Sequence, residues 1–238
     1  MTSLERFFAV IPAAGTGTRL GAAIPKQYLE IDGRTILEWS VSALLAADWI
    51  EQVVVVVARG DQRASAVLRA LPGDRQARLQ IVPRGGQTRR DTVLAGLDVL
   101  NAVADDDWAL VHDAARPGLS LDRLNTLRAE LSGDPVGGLL ALPVADTVKR
   151  SGPDERVRAT VPREGLWLAQ TPQMFRYRLL REALRASTQV TDEAAAIEAA
   201  GFAPRLIVGE RSNFKITTRE DLMAMAGALA YRPQSGET

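Results

Sequence analysis

The run VVVVV at 53–57 leaves a chain few ways to fold. Successive side chains of a strand point to opposite faces, so this run presents apolar groups on both. Such a strand is at home in the middle of a parallel sheet, with helices covering the sheet above and below. Short runs rich in Val, Ile and Leu recur at 8–12, 52–58, 79–82, 108–111 and 138–144. They alternate with segments at 35–47, 61–71, 88–102 and 120–131, where apolar residues return every three or four positions and a Thr, Asp or Ser often stands first. The alternation predicts crossover units, hence an α/β fold with a mostly parallel sheet, in a single domain over 1–238.

The pattern breaks at 146–165, DTVKRSGPDERVRATVPREG, which is polar, rich in charge and bounded by Gly and Pro, yet carries β-branched residues at intervals. Between two strands, such a segment is expected to project as a hairpin arm rather than lie as a loop. Further on, helices are expected over 178–186 and 191–200, the second stopped by Gly201, with a strand at 205–208 and a last helix from 218. The tail at 232–238 is expected to be flexible.

Charge and composition exclude several function classes. Lys plus Arg and Asp plus Glu both total 29, so no sequence-wide basic surface draws the chain to nucleic acid, and local clusters must carry any anion binding. The absence of cysteine removes disulfides, thiolate nucleophiles and cysteine metal sites. The N-terminus lacks the pattern of a signal peptide, no apolar run approaches a membrane span, and a cytoplasmic location is expected.

The first strand opens into AVIPAAGTGTRLGAAIPKQYLEI, from Ala9 to Ile31. A dinucleotide cradle needs a third glycine, where Leu20 stands, and an acidic residue about 20 positions on, at the end of the second strand. The next strong strand ends near Ala58 and is followed by Arg59, so both requirements fail. What the loop does offer is bare amides around Ala14 to Thr18, with Arg19 and Lys26 nearby. Gly15 and Gly17 admit phosphate oxygens without an obstructing Cβ, Arg19 can fork across two oxygens, and Lys26 adds a point charge. That combination suits a triphosphate, against the plainer reading of an ordinary turn with solvated basic residues.

Three other stretches make chemical sense on their own. In GGQTRRDTV, Gly85 and Gly86 lead into a helix start where backbone donors and the Thr92 hydroxyl meet either a base or ribose, or simply cap the helix. Asp113 follows a buried strand, at the carboxyl end where open α/β sheets bind ligands, and is the candidate carboxylate for Mg²⁺. His112, the one histidine, alternates to the other side and reads as a buried, hydrogen-bonded residue rather than a base.

Taken together, PAAGTGTRLGAAIPKQYLEI, GGQTRRDTVLAGL, VHDAARP, PVADTVKR, LWLAQTPQMF, TDEAAAIEAAG and NFKIT resemble, in order and over nearly the whole chain, the 2-C-methyl-D-erythritol 4-phosphate cytidylyltransferases of the non-mevalonate isoprenoid pathway. The resemblance implies a Rossmann-like, nucleotide-diphospho-sugar transferase-like fold, a homodimer interlocked through the 146–165 arm, CTP and a polyol phosphate as substrates, and Mg²⁺ or another divalent cation as cofactor. It implies nucleotide contacts at Ala13, Ala14, Gly15, Thr16, Gly17, Lys26, Gly86, Gln87, Thr92 and Ala114. Thr92 keeps the hydroxyl of the serine common in the family, and Gln87 replaces a different polar residue. Acceptor contacts are implied at Asp113, Arg116, Thr147, Arg163, Thr171, Thr191 and Lys215, some of them reaching in from the neighbouring subunit. Thr191 equally reads as a helix cap, and Lys215 is expected at the end of a strand.

The chemistry needs no base. A phosphate monoester is largely dianionic at neutral pH and already a nucleophile, so the obstacle is repulsion between it and the triphosphate. Arg19, Lys26, Arg163 and Lys215 are the expected catalytic residues, acting by positioning and charge cancellation. The alternatives are a ribitol-5-phosphate cytidylyltransferase, which differs only on the acceptor side, and a nucleotide sensor that turns nothing over.

Overall fold

The computed structural model describes residues 5–15, 24–100 and 103–231. The first part runs β1 (Phe7–Pro12), β2 (Glu30–Ile31), β3 (Arg34–Thr35), α1 (Ile36–Leu45), β4 (Ile50–Val56), α2 (Arg63–Leu68), α3 (Gly73–Gln76) and β5 (Leu79–Val82). It continues with α4 (Arg89–Leu97), β6 (Trp108–Val111), α5 (Leu121–Leu131), β7 (Gly137–Pro143), β8 (Val148–Ser151) and β9 (Val157–Val161). The last part holds β10 (Trp167–Arg176), α6 (Tyr177–Ala186), α7 (Glu193–Ala199), β11 (Arg205–Val208) and α8 (Arg219–Ala230).

The main sheet has seven strands in the order β11-β7-β10-β6-β1-β4-β5. β10 runs against β6 and β7, and the other adjacent pairs are parallel. The valine run behaves as its composition demands. Val53, Val55 and Val57 face one core with Phe7, Ala9 and Ile11, beneath Leu37 and Val41 of α1 and Leu124 of α5. Val54 and Val56 face the other with Phe8 and Val10, against Val93 and Leu97 of α4 and Leu180 of α6. Burying each such side chain contributes about 1.5–3 kcal/mol relative to exposure, which ties the central strands to both helical layers.

Local chemistry sets the helix starts. Thr35 with Glu38, Thr88 with Asp91 and Thr218 with Asp221 form reciprocal capping boxes at α1, α4 and α8. The segment expected as one helix over 61–71 is the shorter α2, started by Asp61, whose side chain accepts from the Arg63 and Ala64 amides; α3 follows after Pro72. The helix expected over 88–102 ends at Leu97, and 101–102 lie outside the described residues. The helix expected over 191–200 begins at Glu193 with Asp192, not Thr191, as its cap.

The strand expected after the arm is β10, and it runs on through Thr-Pro at 171–172, where proline interrupts the strand pattern of the sequence. Proline enters a sheet interior only where the ladder is already irregular, and the β10–β7 register shifts between Ala169 and Gln173. The segment 146–165 holds the exposed antiparallel hairpin β8–β9, standing on the ends of β7 and β10. The tail at 232–238 lies outside the described residues.

From β1 the crossovers lead to β4 and β5 on one side and to β6 on the other. Where the order reverses, the connecting loops part and leave a crevice beyond the carboxyl ends of β1 and β6.

Candidate functional site

A cleft of about 570 Å³ occupies that crevice. The loop after β1 (Ala13, Ala14, Gly15), the start of α4 (Gly86, Gln87, Arg89, Thr92), the loop after β6 (Asp113, Ala114) and two lysines from distant segments, Lys26 and Lys215, line it. Most of the nucleotide residues expected from the sequence therefore converge. Thr16, Gly17 and Arg19 lie outside the described residues.

The first loop is held from behind. Gln27, itself buried, donates from Nε2 to the carbonyls of Ala13 at 2.8 Å and Gly15 at 3.1 Å. Those dipoles are thereby occupied on the protein side, away from an anion in the cleft. Gln27 sits on the 3-10 turn Lys26–Tyr28, which also carries Lys26. The turn is anchored by Tyr28, whose hydroxyl donates to Asp61 at 2.6 Å; burial, then the Asp61 carboxylate, push the phenol well above its ordinary pKa. From this base Lys26 Nζ donates to the Ile216 carbonyl at 2.8 Å.

The loop before α4 must lie against the first loop, and glycine permits it. A Cβ on Gly85 would meet the Ala14 Cβ at 2.3 Å and the Val57 carbonyl oxygen at 2.9 Å; one on Gly86 would meet the Asp91 Cβ at 2.3 Å. Thr92, 3% exposed, accepts from the Gly86 amide at 3.2 Å and donates to the Thr88 carbonyl at 2.9 Å. Its hydroxyl thereby ties the loop before α4 to the first turn of that helix.

Asp113 is the electrostatic centre. Its Oδ1 accepts from Arg89 Nε at 3.0 Å, and its Oδ2 lies 3.0 Å from Lys215 Nζ and 3.5 Å from Arg116 Nε. Burial alone would raise the Asp113 pKa, but Arg89, Lys215 and Arg116 outweigh it and hold the carboxyl well below the usual carboxylate range. Both oxygens are thus engaged by cations. Among the described residues no group of three or more His, Cys, Asp or Glu side chains is arranged to hold a metal ion. Asp113 with three cationic neighbours does not fit the expected role of metal-holding carboxylate; the cluster favours an anion.

Arg89 and Glu193, which accepts from the terminal nitrogens of Arg89, are residues of this site that the sequence reading does not single out. Arg89 lies within GGQTRRDTV, and Glu193 starts the alanine-rich helix EAAAIEA, whose other carboxylate, Glu198, is exposed while that of Glu193 is buried. Lys215 is found on the loop before α8 rather than at a strand end, tucked in by the hydrogen bond from the Ile216 amide to the Ala115 carbonyl at 2.9 Å.

His112, one residue beyond β6, is fully buried. Its Nε2 faces the Arg116 carbonyl at 3.1 Å, so that nitrogen carries the proton, and Nδ1 accepts from the Thr171 hydroxyl at 3.0 Å. The same hydroxyl accepts from the Asp113 amide at 3.0 Å. Burial pushes the His112 pKa down to about 4, against the opposing pull of Asp113. Thr171, expected to touch the acceptor, is instead buried behind Asp113 with its hydroxyl committed on both sides. Arg116 lies beside Asp113 and donates to the Asn213 carbonyl at 2.7 Å.

Thr147, Arg163 and Thr191 do not line this cleft. Thr191 is exposed ahead of α7, and Thr147 is exposed at the arm root. Arg163 donates to the Ala145 carbonyl and borders a separate hollow with Leu142, Asp146, Leu168 and Arg211. No helix among the described residues is long and apolar enough to cross a membrane.

Comparison with known proteins bears on this arrangement. The chain matches the family model described as IspD: 2-C-methyl-D-erythritol 4-phosphate cytidylyltransferase over residues 7–231. Two relatives carry the same name. That of Dechloromonas aromatica is 50% identical over 230 residues, covering 96% of this chain and all (100%) of its own. That of Bordetella petrii is 54% identical over 226 residues, covering 93% and 97%. Among solved structures, a 4-diphosphocytidyl-2C-methyl-D-erythritol synthase is similar with a TM-score of 0.83 at 38% identity, covering 95% of this chain and 99% of that one. The 2-C-methyl-D-erythritol 4-phosphate cytidylyltransferase from Thermus thermophilus is similar with a TM-score of 0.74 at 32% identity, covering 95% and 100%.

Proposed function

We propose that this chain, which belongs to the 2-C-methyl-D-erythritol 4-phosphate cytidylyltransferase family, works by cancelling charge between two phosphorylated substrates and not by abstracting a proton. It is a nucleotidyltransferase that joins CTP to 2-C-methyl-D-erythritol 4-phosphate, a step of the non-mevalonate isoprenoid pathway, giving 4-diphosphocytidyl-2-C-methyl-D-erythritol and pyrophosphate. An oxygen of the acceptor phosphate bonds to the α-phosphorus as the bond to the β-phosphate oxygen breaks, and pyrophosphate leaves with that electron pair.

The observation that carries the proposal is the convergence of Lys26, Lys215 and Arg89 with the first loop on one cleft at the sheet's switch point. The triphosphate lies along the first loop, with Arg19 and Lys26 stabilising the crowded α-phosphate and the departing pyrophosphate. Gly86, Gln87, Thr92 and Ala114 face the nucleoside. Asp113, Arg116 and Lys215 take the acceptor on the far side, and Arg163 and Thr147 join them from a neighbouring subunit across the β8–β9 arm. That route explains why an arm residue lies away from its own chain's cleft. His112, buried and neutral, takes no proton.

Mg²⁺ or another divalent cation belongs to the proposal as a companion of the triphosphate, supplying further neutralisation of phosphate charge, because the one carboxylate that lines the cleft among the described residues is already paired. A homodimer and a cytoplasmic setting complete the reading. The test is a matrix of nucleotides against acceptors, with and without Mg²⁺, read by pyrophosphate release. Turnover is expected for CTP with 2-C-methyl-D-erythritol 4-phosphate and Mg²⁺. Equal turnover of ribitol 5-phosphate overturns the acceptor assignment, and CTP binding without pyrophosphate release overturns the enzyme.

A further inference from the structure

The guanidinium of Arg89 is divided between two carboxylates. Its two terminal nitrogens meet Glu193 in a fork, Nη1 to Oε1 at 2.6 Å and Nη2 to Oε2 at 3.0 Å. Only Nε reaches Asp113, at 3.0 Å. Glu193 lies 104 residues away in sequence, and its side chain is 1% exposed, against 28% for Arg89, which lines the cleft. Each partner opens a helix, Arg89 following the Thr88 cap of α4 and Glu193 following the Asp192 cap of α7. The pair thus joins two helix starts behind the cleft wall, and Glu193 itself lines no part of the cleft.

The two terminal nitrogens of a guanidinium, once gripped end-on by one carboxylate, are not free to grip a second in the same way. While Glu193 holds both terminal nitrogens, Arg89 gives Asp113 a single bond on Oδ1, and Oδ2 stays with Lys215 at 3.0 Å and Arg116 at 3.5 Å. Without the Glu193 charge, the fork is free to swing onto both oxygens of Asp113. Lys215 then loses its partner and its place.

We infer that Glu193 is a positioning residue of this reaction: by occupying the fork of Arg89 it keeps one oxygen of Asp113 available to Lys215, and so sets the geometry in which the acceptor is received. The inference rests on the reading of Asp113 and Lys215 as acceptor-side groups.

The experiment uses the full chain and compares Glu193→Gln, Asp113→Asn and the double variant. For Glu193→Gln, kcat/KM for 2-C-methyl-D-erythritol 4-phosphate is expected to fall about 10- to 100-fold, the usual effect of misplacing a reacting group by an ångström or removing its support. CTP affinity by calorimetry is expected to stay within about twofold, since the first loop and Lys26 do not touch Glu193. The two substitutions are expected to be non-additive, the double variant being hardly worse than Asp113→Asn alone, because one acts through the other. Additive losses, or a parallel loss of CTP binding, overturn the inference. If Asp113→Asn leaves acceptor use unchanged, the acceptor-side reading falls; if it impairs acceptor use and Glu193→Gln does not, only the positioning role falls. Glu193→Asp, which keeps the charge but draws it back from the fork of Arg89, carries the same expectation should Glu193→Gln not fold.

Discussion

Lys26 Nζ and the carbonyl of Ile216 are joined by a 2.8 Å hydrogen bond across 190 residues of sequence, so the turn after the first loop and the loop before the last helix form one rim. The neighbouring Lys215 on that second loop reaches Asp113. The two lysines therefore enter the cleft with their positions set by each other's segments.

Removing the first of them should be costly in the chemical step. Lys26→Ala is expected to lower kcat at saturating CTP by about 10²–10³, the usual loss of one preorganised contact to developing charge, roughly 3–4 kcal/mol. Steady-state kinetics distinguish this from binding: a variant with unchanged kcat and a raised KM for CTP would show that Lys26 contributes only to ground-state affinity.

Gly15, which lines the cleft, and Gly85, packed behind it on Ala14, are expected to answer differently to the same methyl group. At Gly85 the new Cβ collides with Ala14 and Val57, and Gly85→Ala should lose about 1–3 kcal/mol of stability. At Gly15 nothing among the described residues lies within 4 Å, so Gly15→Ala should melt like the parent yet bind CTP more weakly, the methyl intruding where the triphosphate lies. Thermal melts paired with calorimetry check both, and normal CTP affinity in Gly15→Ala would count against the proposed path of the triphosphate.

Stability should fall in mild acid because of His112. Its pKa drops from 6.5 in an exposed chain to about 4 in the fold, so between those values the unfolded state binds a proton that the folded state refuses. Stability is then fully present above 6.5, and declines as pH drops through the window toward 4. Urea unfolding across that range should show a shallower pH slope in His112→Gln than in the parent; identical slopes would mean that the imidazole does not titrate on unfolding.

The arm residue Arg163 is expected to serve a neighbouring subunit. Arg163→Ala should impair use of the acceptor while leaving CTP binding intact. Mixing inactive Arg163→Ala with inactive Lys26→Ala should restore about a quarter of the parent activity in a statistical mixture of dimers, since half the dimers are mixed and each holds one complete site. No recovery on mixing, with subunit exchange verified, would place Arg163 in its own chain's site or outside the reaction.

The valine run, the alternating periods and the helix caps were decisive in the sequence itself, because each is a local matter: which face a side chain takes, and which donor meets the nearest hydroxyl. They were enough for a mostly parallel sheet, the β6 strand at Trp108–Val111, the start of α8 and a site beyond the strand ends. Family-patterned motifs likewise brought Gly15, Lys26, Gly86, Asp113 and Lys215 to notice before any geometry. The extent of strand β10 is hidden by its own proline, since only the pairing with β7 reveals the irregular register that accommodates it. The same holds for the division of Arg89 between Glu193 and Asp113, and for the burial of Thr171 behind Asp113. Which charge neutralises which is settled by strand order and helix packing, and those bring together groups that nothing in the linear spacing relates.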